Sequence, residues 1–135
     1  MSTHCGVAIK TEKGYKAIYV HHDGYERYMW PMLTKNYGTE ELAGKLVSLG
    51  DASAIEERLE PTPGVPHTFD WPEKDVCIFY HRDRGENWNQ VKPAEYESLK
   101  DFYNDYYYAY VWADGKWTAY KGGRINYAVE TKSED

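Results

Sequence analysis

A turn that carries two imidazoles and a carboxylate follows a strand-like stretch, and its residue types suit chemistry. The run His21-His22-Asp23-Gly24 comes directly after the alternating segment 15–20. Side chains alternate across a strand, so His21 and Asp23 lie on the same side. They could bind a metal ion as a pair, or His21 could act as a base that the Asp23 carboxylate orients. Alternatively, Asp23-Gly24 only shapes the turn and the histidines are half-buried hydrogen-bonding groups. We predict no metal site and no cofactor, because the remaining histidines lack zinc-site spacing: His4, His67 and His81.

A second charged cluster, His81 to Glu86, follows the apolar run 76–80 in the same way. Arg82 or Arg84 could fork onto a phosphate or carboxylate while Gly85 lets the backbone approach the ligand. Alternatively, these charges pair among themselves and with Asp23. Parallel neighbouring strands over 15–21 and 76–80 would bring both clusters to one sheet end, whereas antiparallel strands exclude a shared site. No catalytic residue is assigned, and the predicted ligand-binding residues are His21, Asp23, Arg82, Asp83, Arg84 and Glu86.

A hairpin rich in tyrosine and tryptophan over 106–120 has more rings than one buried sheet face needs. Tyr and Trp dominate the energetic centres of protein interfaces, so the surplus indicates a partner surface. A ring-rich core with ordinary cross-strand aromatic pairs explains the pattern equally well. The predicted partner-binding residues are Tyr106, Tyr108, Tyr110 and Trp112 on one face, together with Trp117 on the returning strand.

The elements that must position these groups follow a simple order along the chain. Strands are expected at both ends and helices mostly between them. This order predicts one α+β domain over 1–135, with a mainly antiparallel sheet of about five strands and two or three helices packed on one face. The predicted strands are 5–10, 15–21 (central), 76–80 (central), 106–112, 117–121 and an edge strand at 124–129. The predicted helices are 30–37, 39–50 and 93–101, with a helical turn at 51–55, a proline-rich loop at 60–72 and a frayed tail from 131.

Composition excludes several classes of function. The chain has 135 residues and a net charge of −6, without the dense basic cluster of a duplex-DNA binder. Its 14 tyrosines and 5 tryptophans argue against disorder. Cys5 and Cys77 are expected as buried free thiols on neighbouring strands. No apolar run is long enough to span a membrane and no signal peptide is evident, so we expect a protein of the (host) cytoplasm.

Five short motifs stand out when they are taken together: Ser2-Thr3, His21-x-Asp23-Gly24-Tyr25, Leu49-Gly50-Asp51, Arg82-Asp83-Arg84-Gly85-Glu86 and Asp114-Gly115-Lys116-Trp117. Jointly they resemble a group of small bacteriophage and prophage proteins that often begin Ser-Thr-Arg-Ser and have a His-Trp-Asp-Gly-Tyr-Pro turn. The resemblance covers most of residues 2–120 and implies a viral accessory protein, with no biochemical activity attached. This chain departs from the pattern at His4-Cys5, at His22 and at Glu26.

Two functional hypotheses from different classes follow. The first is a non-enzymatic phage accessory protein that binds a host protein, with inhibition of a host defence system as the expected role. The second is a small-molecule or nucleotide binder, or a phosphodiester-type hydrolase, that uses the His21/Asp23 and Arg82/Arg84 clusters. A metal-dependent nuclease is a third and weaker hypothesis. The sequence favours a protein that is not an enzyme and leaves its oligomeric state open.

Overall fold

The computed structural model describes residues 2–123 and 129–134, and this part of the chain has the predicted α+β class. The strands are β1 (Cys5–Thr11), β2 (Gly14–Val20), β3 (Ala52–Ala54), β4 (Ile78–Phe79), β5 (Ala94–Tyr96), β6 (Tyr108–Ala113), β7 (Lys116–Lys121) and β8 (Val129–Ser133). The helices are α1 (Glu26–Asn36), α2 (Glu40–Ser48), α3 (Tyr80–Arg84), α4 (Trp88–Val91) and α5 (Leu99–Tyr103). The sheet order is β4-β3-β2-β1-β6-β7-β8, and β5 also pairs with β2.

The predicted first hairpin and its central second strand are both present. β1 and β2 pair antiparallel from Cys5↔Val20 to Thr11↔Gly14. On its other edge, β2 pairs antiparallel with β5 and parallel with β3 at Val20. Gly14 turns the chain with a φ of 146°, and a Cβ at this position would lie 2.2 Å from the Tyr96 carbonyl oxygen. Only glycine fits this turn, and β2 delivers the His21 turn from the middle of the sheet.

The sheet is mixed, and larger than the mainly antiparallel sheet of about five strands predicted from sequence. β1 pairs parallel with β6, from Gly6↔Ala109 to Ile9↔Trp112, which brings the last hairpin beside the first. The described residues form eight strands, because two segments predicted as helical add to the edge of β2. The predicted helical turn at 51–55 contains β3, and the predicted helix at 93–101 begins as β5.

The helices follow their local signals to different degrees. α2 is as predicted, because the Thr39 hydroxyl accepts the backbone N–H of Leu42 and caps its start. α1 begins at Glu26, before the predicted start near Trp30, and it contains Pro31 in its interior. Ser98 caps the short helix α5 by accepting the N–H of Asp101. None of the described helices has the length and apolarity needed to cross a lipid bilayer.

The sheet is covered on both faces, which corrects the prediction of helices on one face. Val7, Ile18 and Tyr110 point to one side, where they pack in a single core cluster with α1 and α2. Ala8 and Ala17 point to the other side, where they form a second cluster with residues of α5. This double cover explains the apolar residues on both sides of β2, since a strand buried on both faces has no need of polar alternation.

The run 76–80 is not the central strand that its apolar character predicts. Only Ile78–Phe79 pairs as a strand, at the edge of the described sheet, and the chain then turns directly into α3. The Asp83 carboxylate accepts the backbone N–H of Phe79 at 2.8 Å, so a local hydrogen bond favours the helix start over a longer strand. Gly85, with a φ of 76°, ends this helix.

The remaining predictions concern the loop at 60–72, the turn of the last hairpin, the C-terminal segment and the two cysteines. No helix or strand element occupies 60–72, as predicted. The Asp114-Gly115 turn has φ angles of 54° and 80°, the positive pair that its hairpin needs. The predicted edge strand at 124–129 falls mostly on residues outside the described ranges, and β8 occupies most of the predicted frayed tail. Cys5 and Cys77 are buried free thiols, but they do not lie on neighbouring strands.

Candidate functional site

The turn after β2 is packed against the first residues of the chain. The Gly24 N–H donates to the Thr3 carbonyl oxygen at 2.8 Å, and the Tyr110 hydroxyl donates to the Gly24 carbonyl at 2.8 Å. A Cβ on Gly24 would lie 2.6 Å from the Cβ of Cys5, so this close approach requires glycine. The Ser-Thr and His-x-Asp-Gly motifs are separate in sequence, and the fold joins them into one structure.

A hydrogen-bonded chain of imidazole, phenol and imidazole lies at this junction. His4 Nδ1 is 2.9 Å from the His21 carbonyl oxygen, which can only accept, so His4 Nδ1 carries a proton. The Tyr19 hydroxyl is 2.9 Å from His4 Nδ1 and 2.7 Å from His21 Nδ1. The single His4 Nδ1–H is thus shared between the His21 carbonyl and the Tyr19 oxygen, which leaves the Tyr19 proton available to His21 Nδ1. In this arrangement His21 is a neutral acceptor.

The electrostatics of the junction agree with this proton arrangement. The His21 ring centroid is 4.7 Å from that of His4 and 4.6 Å from that of His22. Burial, followed by the positive charge that His22 and His4 can carry, lowers the pKa of His21. Burial raises the pKa of Tyr19, with further contributions from Tyr80, Asp51 and Cys5. The phenol thus keeps its proton as a donor, and the imidazole that receives it is uncharged near neutral pH.

The lowered pKa of His21 predicts a loss of stability in acid. Unfolded His21 binds a proton near pH 6.5 and folded His21 only at lower pH, so its contribution is full above 6.5 and lost as the pH falls through the folded pKa. We expect His21→Gln, whose amide oxygen can still accept from Tyr19, to lose less stability than the wild type between pH 7.5 and about 5.5. Urea denaturation of both proteins across this range measures the difference. If the free energy of unfolding falls equally with pH in the two proteins, the assignment of a lowered pKa to His21 is contradicted.

Asp51 holds the backbone of β2 at Tyr19, and its contribution to stability has the opposite pH dependence to that of His21. Its carboxylate accepts the Tyr19 backbone N–H at 2.9 Å, and burial, partly opposed by this bond, raises its pKa from 3.8 to about 6. A raised folded pKa gives stability that is full below pH 3.8 and lost as the pH rises through about 6. We expect Asp51→Asn, which keeps the acceptor, to gain stability relative to the wild type as the pH rises from 4 to 7. Urea titrations at each pH give the free energy of unfolding of both proteins. A gain of Asp51→Asn over the wild type that shrinks or stays constant as the pH rises would refute this prediction.

An open cleft of about 580 Å³ adjoins the imidazole–phenol network. One wall is the N-terminal segment with Tyr19, and the other is the segment between α5 and β6. The sequence alone could suggest Tyr19, because alternate residues of a strand share a side with His21. It gives no signal for the opposite wall, which is far away in the chain. The lining residues are Ser2, Thr3, His4, Tyr19, Asp105, Tyr106, Tyr107 and Tyr108.

The second predicted cluster forms a structural clamp. Arg82 Nε and Nη2 bind the two carboxylate oxygens of Asp83 at 2.9 and 3.1 Å, and the Asp83 side chain is only 3% exposed. Two further Arg82 N–H groups bind the carbonyls of Leu59 and Cys77, both at 2.8 Å. The pairing of these charges among themselves is therefore present. Four of the five Arg82 N–H donors thus hold α3 to the residues that flank the proline-rich loop.

His67, to which sequence reasoning assigned no role, completes this clamp. Its Nδ1 accepts the Glu73 backbone N–H at 2.9 Å, so Nε2 carries the proton and donates to the Cys77 carbonyl at 3.0 Å. Asp83 Oδ2 lies 3.4 Å from the same nitrogen. The neutral ring ties the proline-rich loop to the segment that leads into β4, and a structural role accounts for these polar contacts.

The two predicted clusters do not share a site. β3 lies between β2 and β4, and because β3 is parallel to β2 and antiparallel to β4, the strands before the two clusters run in opposite directions. No hydrogen bond or ion pair within 2–123 and 129–134 joins His21 or Asp23 to Arg82, Arg84 or Glu86. Asp23, with a φ of 58°, serves the turn. In the same ranges, no group of three or more His, Cys, Asp or Glu residues is placed to hold a metal ion.

Most of the predicted partner surface lies in the core. Tyr110, Trp112 and Trp117 are buried, so they cannot contact another protein in the folded chain. Tyr106 precedes β6 and packs on Phe102 in the second cluster, on the opposite side from Tyr110. Tyr108 is half-buried against the first cluster. The most exposed rings among the described residues are others: Trp71, at 81%, and Tyr107, at 58%.

Known proteins provide no template for these features. The chain matches no protein-family model, no curated protein and no solved structure. The resemblance to small phage and prophage proteins accordingly stays a prediction. A functional assignment must depend on the geometry of this chain, in which the exposed Trp71 loop and the His4–Tyr19 cleft are two features without a structural role.

Proposed function

We propose that this protein is a phage accessory protein that binds a host protein, with inhibition of a host defence as its role, and that Trp71 is the main contact. The supporting observation is the 81% exposure of the Trp71 side chain. An exposed tryptophan is costly in water, whereas in an interface it buries about 150–250 Å² of surface. Tryptophan is also among the residues enriched at the energetic centres of interfaces.

The loop that carries Trp71 is held in a defined shape. The Thr68 hydroxyl accepts the Trp71 N–H at 3.1 Å, and the Phe69 N–H donates to the Asp83 carbonyl at 2.9 Å. The Phe69 ring stacks on Tyr80 at 5.9 Å between centroids and lies under the Arg84 guanidinium at 4.5 Å. An anchored loop loses little conformational entropy on binding, which favours recognition of a partner.

The overall charge supports a partner with a basic contact surface. A net charge of −6 on 135 residues attracts basic proteins and speeds their association. The nucleotide or hydrolase alternative is less well supported, because its two clusters lie apart and Arg82 is engaged within the fold. Binding of a protein is thus the function that the exposed surface supports best.

A capture experiment with matched variants tests this function. The immobilised chain is incubated with lysate of a bacterial host, and retained proteins are quantified by mass spectrometry and then tested as purified proteins. We expect one protein to be retained by the wild type and by Val129→Ser, and at least about tenfold less by Trp71→Ala. Val129 is a suitable control because it is an exposed apolar residue on β8, at the opposite end of the sheet from β4. Retention that is only background, or that is unchanged in Trp71→Ala, would overturn the proposal.

A further inference from the structure

The open cleft between the N-terminal segment and the 105–108 segment has an unusual set of polar groups. Its lining contains one carboxylate, several hydroxyls and four tyrosine rings. Neither lysine nor arginine is among the described residues that line it, although Lys121 lies beside two of the rings. A phosphate or carboxylate ligand would need cationic partners at this position. The lining therefore disfavours an anion and favours a ligand that is itself positively charged.

The hydrogen-bonding capacity of the cleft is biased towards acceptors. His4 has its Nδ1 proton directed at the His21 carbonyl, so in its neutral form Nε2 is left with a lone pair. With His21 as the neutral acceptor, the Tyr19 hydroxyl donates its proton to His21 and offers a ligand only its lone pairs. Asp105 accepts the Tyr96 hydroxyl at 2.7 Å on one oxygen, and no cation in the described residues is paired with its carboxylate. These groups suit a ligand that only donates.

The ring faces at the mouth of the cleft also suit a cation. The Tyr107 and Tyr108 rings meet edge to face with centroids 4.8 Å apart. The ammonium group of the chain's own Lys121 lies 5.9 and 6.0 Å from these two centroids, at the outer limit of a cation–π contact. A cation that enters the cleft beside Asp105 would combine ring contact with a charged hydrogen bond.

We propose that this cleft binds a guanidinium group, either of a free small molecule or of an arginine side chain. A guanidinium is planar, stacks on aromatic rings, offers five N–H donors and accepts nothing, which matches the lining group by group. The cleft volume of about 580 Å³ lies within the range of small-molecule sites. The site is separate from the Trp71 loop and does not depend on the function proposed for that loop.

NMR titration of the isotope-labelled full chain tests the site with defined probes. Ethylguanidinium represents the free cation, N-acetyl-arginine amide represents an arginine side chain, and N-acetyl-citrulline amide is the neutral isostere. We expect saturable shifts of residues 2–4, 19 and 105–108 with at least one guanidinium probe and at least about tenfold weaker binding of the citrulline compound. Binding of ethylguanidinium alone assigns the site to a small molecule, and binding of both assigns it to arginine as well.

Variants of two aspartates separate the cleft from general charge effects. Asp105→Asn retains an acceptor for Tyr96 but loses the charge, and we expect guanidinium affinity to fall about tenfold. Asp101→Asn removes the same charge from an exposed position of α5 that does not line the cleft, and affinity should be unchanged. The absence of saturable shifts, equal binding of citrulline, shifts that map elsewhere, or equal losses in both variants would each overturn the proposal. None of these outcomes bears on capture through Trp71.

Discussion

Replacing Trp117 with alanine is expected to destabilise the fold by about 3–5 kcal/mol, the usual cost of deleting a large buried ring. Trp117 is the largest fully buried side chain in the described part of the chain. Its ring lies edge to face with Trp112 at 5.6 Å, and its indole N–H donates to the Tyr37 carbonyl at 2.9 Å. Alanine would leave a cavity and an unpaired buried carbonyl. Since whole domains are stable by about 5–15 kcal/mol, we expect a large fraction of Trp117→Ala to be unfolded already at the start of a urea titration at 25 °C.

Trp71→Ala is the matched control for this prediction. Its ring is 81% exposed, and its hydrogen bonds to Thr68 use the backbone, so alanine retains them. We expect its free energy of unfolding to stay within about 0.5 kcal/mol of the wild type. Similar losses in the two variants would show that the packing described for Trp117 is wrong. The pair also separates the two roles of tryptophan, since only Trp71→Ala should lose partner binding while remaining folded.

Arg82→Ala is expected to cost about 3 kcal/mol, because it leaves the Asp83 carboxylate buried without its cation. The Asp83 side chain is 3% exposed, and Arg82 also donates to the carbonyls of Leu59 and Cys77. The substitution therefore breaks the ion pair together with two hydrogen bonds to residues that flank the proline-rich loop. Chemical denaturation measures the loss, and limited proteolysis should show faster cleavage within 60–72.

Arg84→Ala provides the comparison from two residues away. The Arg84 side chain is 52% exposed, and its nearest carboxylate, that of Glu86, is 3.9 Å away. Exposed pairs of this kind contribute about 0–1 kcal/mol, so this variant should remain close to the wild type apart from the lost contact with Phe69. Equal stability of the two arginine variants would refute the clamp. Equal and large losses of stability in both variants would instead indicate that α3 is stabilised by the charges of both arginines.

Predictions from sequence succeeded where the deciding interactions are local. Thr39 caps α2 through a hydroxyl three residues from its partner, and Asp114-Gly115 adopts the positive φ angles that its residue types favour. The first hairpin also follows from adjacent strands joined by a short turn ending in Gly14. In each case the residues that select the conformation are neighbours in the chain.

Predictions failed where a short segment takes its structure from a distant partner. Ala52 pairs with both Val20 and Phe79, so 51–55 becomes a strand although its composition suits a helical turn. The Pro93 segment, predicted as helix, first adds to the edge of β2 as β5. The run 76–80 has the apolar content of a central strand, but the carboxylate of Asp83 ends it early. Short apolar runs do not contain the information that distinguishes these outcomes.

The sequence by itself determined the capped second helix and both hairpins, which depend on hydrogen bonds and backbone angles within a few residues. It determined the α+β class through the order of strands and helices along the chain. It also placed a turn at Asp23-Gly24, but the requirement for glycine there comes from the distant Thr3 and Cys5. Only the tertiary structure decided that His4 meets Tyr19 and His21, that Asp105 faces them across a cleft, and that Arg82 serves the fold. The physical reason is that such contacts join residues that are not neighbours in the chain. The pairing of β1 with β2 brings His4 beside Tyr19, and the parallel pairing of β1 with β6 brings Asp105 to the same cleft.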